Sequence, residues 1–241
     1  MSVAIPMPVK MIVAVPGPWT SRAEVEQAVV GLGKEAWMEE GAEPHSLFLE
    51  WVPADGSLSG AVLAGGAPGA FTAAEAAALT EARGCAFAID KAAGSVLSVR
   101  RMMRLVAGLL RRGGLAAKVE SSGRSHGPAR WGRLDPDKVD DRMYAFVTLV
   151  GTPASGYGSC GMHNLGMPDT WLPGSTSPAE VGPRLTAFNL MQLDAGLEVP
   201  AGGTCEAAIG GHRYRAEHTP SRFASGTLHH NPYGEWRLRP E

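Results

Sequence analysis

CAFAIDKAAGSVLSVRRMMRLVAGLLRRGGLAAKVES, residues 85–121, changes its pattern twice. CAFAID (85–90) is a short apolar run of strand length. From Ser95 to Arg112 the apolar residues return at helical spacing, with Val96, Val99, Met103, Val106 and Leu110 on one stripe. This is the longest helix the sequence predicts. Gly113 and Gly114 suit its C-terminal cap, because glycine accepts left-handed backbone without steric cost. LAAKVES (115–121) returns to strand character. A strand, a one-sided helix and a second strand in succession imply a helix laid against a sheet.

The flanking sequence extends that reading. Upstream, KMIVAV (10–15) is a buried strand ended by PGP (16–18). SRAE (21–24) is a capping-box pattern before Val25, Ala28, Val29 and Leu32. SLFLEWV (46–52) alternates as a strand, with Leu47, Leu49 and Trp51 on one face. Residues 55–71 are rich in glycine and small side chains and read as loop, with at most a short strand at 61–63; TAAE (72–75) then opens another helix. Downstream, SGRSHGPARWGRLDPDKVDD (122–141) is polar and bears glycine and proline, the composition of a connection. MYAFVTLVG (143–151) reads as a strand, and residues 157–169 as a strand running into a loop. SPAE (177–180) is a firm helix start, followed by Val181, Leu185, Phe188 and Met191 on one stripe. The tail predicts β segments at 203–209, 212–217 and 234–239. Irregular alternation with a strand-rich end argues for an α+β fold, its sheet mixed or largely antiparallel with helices packed on it. It forms either one unit over 1–241 or two similar halves, 1–121 and 142–241, joined by 122–141.

A chain of 241 residues, 44% hydrophobic and 19% charged, has the composition of a soluble globular protein. Its net charge of -2 provides no global field for nucleic acid. Arg100, Arg101, Arg104, Arg111 and Arg112 are spaced to share one solvated helix face. Cys85, Cys160 and Cys205 are far apart and odd in number, which points to a reducing cytoplasm. No apolar run is long enough for a signal core or a membrane span. GLG (31–33) and GG (65–66) do not extend to G-x-G-x-x-G, and no P-loop occurs, so no cofactor is expected. His212, His218, His229 and His230 carry no metal-ligand spacing, and no metal is expected either.

Two polar clusters follow apolar strands. In the first, Lys118 and Glu120 sit two apart in a strand and share a face, close enough to pair; Ser121, Ser122 and His126 lie at its mouth. The plainer interpretation is a surface ion pair beside a turn. The functional one makes His126 a general base or a ligand donor. No G-x-S-x-G elbow supports a nucleophilic serine. In the second, Cys160, His163 and Asp169 supply nucleophile, base and orienter in name, but Cys160 and His163 point to opposite faces of an extended segment. Asn164 and Asp169 beside Gly166 and Pro168 are also ordinary turn residues. If the protein is an enzyme, His126 or His163 is its base and Lys118 steadies an anion. If it binds, Glu120, Ser122, Asn164 and Asp169 make the contacts. Both schemes need the clusters to meet across the sheet.

GPWTSRAEV (17–25), GGLAAKVESSGRSHGPARW (113–131) and CGMHNLGMPD (160–169), in that order, resemble the bacterial family described as domain of unknown function 4261. The resemblance spans most of 10–240 and falls on Lys118, Glu120, Ser122, His126, Gly161, Met162, Gly166, Pro168 and Asp169. It implies no activity. Comparable domains accompany secreted bacterial toxins as immunity proteins, an analogy of context. The expectation is therefore a soluble, cytoplasmic, bacterial binding protein with a protein partner, of the immunity type that neutralises a toxin. It involves neither nucleic acid nor membrane, and its oligomeric state is open. The alternative is a small-molecule hydrolase or transferase built on a His/Lys/carboxylate site.

Overall fold

The structure, a computed structural model, describes residues 9–32, 46–174, 177–195, 204–209 and 211–240. In chain order its elements are β1 (Val9–Gly17), α1 (Arg22–Val30), β2 (Leu47–Pro53), α2 (Leu58–Ala64), α3 (Ala73–Ala78), β3 (Gly84–Ala93) and α4 (Val96–Arg111). Next come β4 (Ala117–Val119), β5 (Ser125–His126), α5 (Pro128–Trp131), α6 (Val139–Phe146), β6 (Thr148–Thr152) and β7 (Gly156–Cys160). The last are β8 (Asp169–Leu172), α7 (Pro178–Ala195), β9 (Thr204–Ile209), β10 (His212–Thr219) and β11 (Glu235–Pro240). They build an α+β fold around two sheets, ordered β2-β3-β1-β4-β5 and β6-β7-β8-β11-β10-β9. Among the described residues, the strands pair antiparallel except β8 with β11. Among the described residues, no helix is long and apolar enough to cross a membrane.

The first sheet carries α4 through a core that includes Met11, Val13 and Val15 of β1 and Val99, Met102, Val106 and Leu109 of α4. The opening stretch therefore folds as its periodicity dictates, with two exceptions. Val96 of the predicted stripe is 45% exposed, whereas Arg101, expected on the solvated face, is 1% exposed. Its guanidinium lies 2.6 Å from the equally buried Asp90 carboxylate and donates to Ser46 Oγ at 2.6 Å. Asp90 also accepts from Ser98 Oγ and the Ala92 amide. Burial pushes its carboxyl up, but these donors outweigh it and hold the pKa below the usual value. Arg100 and Arg104 remain partly exposed beside Asp137. A second core joins α7 to the other sheet through Val181, Leu185 and Phe188 against Tyr214, Trp236 and Leu238. At 18 residues α7 exceeds the 16 of α4 and is the longer helix.

Three segments depart from the sequence expectation. Residues 58–64 are helical because the Asp55 carboxylate accepts from the amides of Ser57 and Leu58, starting a turn that small residues continue. This seats Val62 against Leu79 and Ala116. MYAFVTLVG divides: its first half closes α6, with Ala145 and Phe146 buried, and only Thr148–Thr152 is strand. The 122–141 stretch packs instead of tethering. It supplies β5 and α5, and Trp131 enters the first core, its indole N–H donating to Met103 O at 3.3 Å. Met162 and Leu165, from beyond it, belong to that same core, so the two sides interlock. The caps are closer to expectation. Thr72 and Glu75 form a complete capping box, while Glu24 reaches the Thr20 amide in place of the Ser21 amide.

Candidate functional site

Lys118 and Glu120 pair at 2.7 Å, as their spacing requires. In the antiparallel β4–β5 register, Lys118 faces Ser125 and Ala117 faces His126. Lys118 and His126 therefore emerge on opposite faces of the sheet and do not converge. His126, with 0% exposure, is boxed by Trp131 and Tyr144 at centroid distances of 5.4 and 5.3 Å. Its Nε2 donates to Ala145 O at 3.1 Å. A carbonyl only accepts, so the ring proton sits on Nε2. Burial first, then the charges of Arg124 and Arg130, lower its pKa to about 4 despite the Ala145 bond. At neutral pH this is an uncharged, packed side chain.

The second cluster reaches the first through glycine. Gly161 (φ 114°) turns β7 into a 3-10 turn, Met162–Leu165, which Gly166 (φ 78°) closes. A Cβ at Gly161 would meet the Phe146 carbonyl and Ser122 Cβ, and one at Gly166 would meet the Gly94 carbonyl. Positive φ and close approach together require glycine at both. Across this contact Asn164 Nδ2 donates to Ser121 Oγ at 3.0 Å and to Gly161 O at 2.9 Å. The predicted meeting of clusters thus occurs at Ser121, Ser122, Gly161 and Asn164. It does not include His126 or Lys118.

Asp169 is buried and accepts from the Met162 amide at 3.1 Å, Asn231 Nδ2 at 3.0 Å and Ser159 Oγ at 3.4 Å. Parallel pairing of β8 with β11 sets it opposite Glu235, a second buried carboxylate. Burial raises the Asp169 pKa to about 6 against its hydrogen bonds to Asn231 and Met162; Arg222 opposes the rise and Glu235 adds to it. Arg222 lies 3.5 Å from Glu235 and donates to Ser159 O at 2.7 Å. Its guanidinium stacks 4.0 Å over Trp171.

Beside this network opens a cavity of about 290 Å³, lined by Ser122, Val150, Cys160, Trp171, Arg222, Phe223 and His229 among others. Its character is apolar and aromatic. Cys160, buried at its base, has no disulfide partner, and its Sγ lies 3.5 Å from Ser121 O and 3.9 Å from His229 Nδ1. His229 Nδ1 donates to the same carbonyl at 2.9 Å, so its proton is directed away from any role as base to the thiol. Burial, reinforced by Asp169, pushes the thiol up to about 12. A Cys–His nucleophile is not assembled here.

His163 stands apart, lining another cavity with His230 and Lys10. The catalytic candidates His126, His163 and Lys118 thus occupy three separate surroundings. Of the binding candidates, Ser122 reaches the cavity wall, Asn164 and Asp169 brace the structure behind it, and Glu120 pairs with Lys118. Arg222, Phe223 and His229 were not selected from the sequence as one site. SRFASGTLHHNPYG (221–234), a long polar connection between two tail strands, was the available signal. Trp171 supplies an aromatic wall of the cavity. His218 Nε2 donates to Tyr233 O at 2.7 Å. Among the described residues, no three His, Cys, Asp or Glu are grouped to hold a metal.

No family model matches the chain, and no curated protein or solved structure matches it.

Proposed function

We propose that this protein is a non-catalytic binding protein whose partner is another protein, received at the Trp171–Phe223–His229 cavity. One observation carries the reading. The open concavity is built of aromatic and aliphatic walls, while the histidines chosen as bases are buried, uncharged and separated. An apolar pocket rimmed by polar groups fits an anchoring side chain of a partner, the usual centre of binding energy. The resemblance to the domain-of-unknown-function 4261 family supports a narrower form: a bacterial immunity-type protein that neutralises a toxin. Its buried, unpaired Cys85 and Cys160 are consistent with a reducing cytoplasm. Nucleic acid is not the proposed ligand, since neither the cavity nor the net charge of -2 provides a phosphate-tracking surface.

Val150 stands half-buried on the cavity wall, so Val150→Arg fills the opening without breaking a core. Pull-downs from the native organism with wild type and this variant test the proposal. The expected result is a stoichiometric partner held by wild type and lost by the variant, with thermal stability unchanged. Recovery of no stoichiometric partner, or equal retention by Val150→Arg, overturns it.

A further inference from the structure

We propose that a second cavity, floored by His163, is a binding site for a small oxyanion, a phosphate or carboxylate group. The cavity, about 220 Å³, lies between the start of β1 and the loop joining β10 to β11 and is lined by Lys10, His163, Thr227, Leu228 and His230 among others. No carboxylate lines it among the described residues. His163 is 2% exposed, and neither of its ring nitrogens bonds to a described residue; Nδ1 is buried outright without a partner. Buried polar atoms in folded proteins are nearly always satisfied, so an imidazole left unbonded on a cavity floor points to a ligand that completes it.

The walls are prepared for one. His230 Nδ1 donates to Phe223 O at 3.0 Å, which leaves Nε2 without that bond. Thr227 Oγ1 donates to Ala224 O, the His230 amide to Thr227 O, and the Asn231 amide to Ser221 Oγ, so the loop holds its own shape. Rigid walls reduce the entropy lost when a ligand binds. Lys10 contributes a full positive charge at the rim.

The titratable groups around His163 are Lys10, His229 and His230. Burial first, then His229 and His230, lower the His163 pKa to about 4, so the floor of the cavity is neutral at pH 7. A neutral imidazole has one donor and one acceptor, which match a protonated phosphate or carboxyl. An unprotonated anion instead favours the imidazolium and draws a proton in. By linkage the affinity then increases as pH falls.

The test is an NMR titration of the histidine ring resonances of the full chain with inorganic phosphate and, separately, acetate, against chloride at matched ionic strength. The expected result is saturable movement of the His163 and His230 rings, tighter at about pH 5.5 than at about pH 7.5. Saturation by phosphate alone identifies a phosphoryl ligand, and saturation by acetate alone a carboxylate. His163→Leu is expected to weaken binding by at least about tenfold, the loss of one charged hydrogen-bond partner. Lys10→Gln, at an exposed position that leaves the core intact, should weaken it about threefold. If neither anion moves the His163 ring beyond chloride, or if both variants bind as wild type, the site does not exist.

Discussion

His126 and His163 are the same residue type, equally buried, and both have pKa values lowered to about 4. Their surroundings differ in one respect. Around His126, Trp131, Tyr144 and the Ala145 carbonyl enclose the ring and take up its proton. Around His163 the ring faces a cavity and bonds to nothing described. Burial and a depressed pKa therefore do not separate a structural histidine from a binding one. Both rings bury an Nδ1 without a partner, but His126 gives its Nε2 proton to Ala145 O, whereas neither nitrogen of His163 bonds to a described residue.

The largest expected contrast is in packing. Trp131→Ala should cost about 3–5 kcal/mol, as for other buried aromatics, whereas Leu228→Ala on the exposed wall near His163 should stay within about 0.5 kcal/mol. Denaturant unfolding measures both, and similar losses would mean the two regions are equally core-like.

The next is acid stability. Each histidine has a folded pKa near 4, below the ordinary 6.5. Burial penalises the protonated ring in the fold, so stability is unaffected above 6.5 and declines as pH falls toward 4, by on the order of 3 kcal/mol for each ring. Asp169 acts with the opposite sign. Its folded pKa of about 6 lies above the ordinary 3.8, so its contribution is present below 3.8 and lost as pH rises through 6. His126→Leu and His163→Leu should each flatten the loss between 6.5 and 4 in denaturation midpoints followed against pH. A slope unchanged in either variant would show that ring to be ordinary and solvated.

The smallest effect is also the sharpest in sign. At neutral pH His126→Leu leaves the Ala145 carbonyl unsatisfied and should cost about 1–3 kcal/mol. His163→Leu removes an unpaired polar group and should be neutral or stabilising. Equal destabilisation by both would erase the distinction between the regions.

The site was legible only in pieces. Lys118 with Glu120 followed from their spacing, and the 160–169 stretch was visibly a turn rich in functional groups. The meeting of Ser121 with Asn164 and His229 was not, because those residues stand 43 and 108 positions away. Nor was the separation of His126 from Lys118, which a one-residue change in the β4–β5 register would reverse.

Local chemistry alone determined the strands at 10–15, 46–52 and 85–90, the helix from Ser95, the helix start at Pro178 and the three tail strands, since period and caps act within a few residues. Local composition misled at 58–64 and 143–146, where an Asp55 turn and burial beside Trp131 overrode the apparent pattern. Only the tertiary structure decided that Arg101 is buried against Asp90, that Arg222 stacks on Trp171, and that one histidine is enclosed while another is left open. Those outcomes depend on which distant polar atoms are brought within about 3 Å, a distance set by register and loop closure and not by neighbours along the chain.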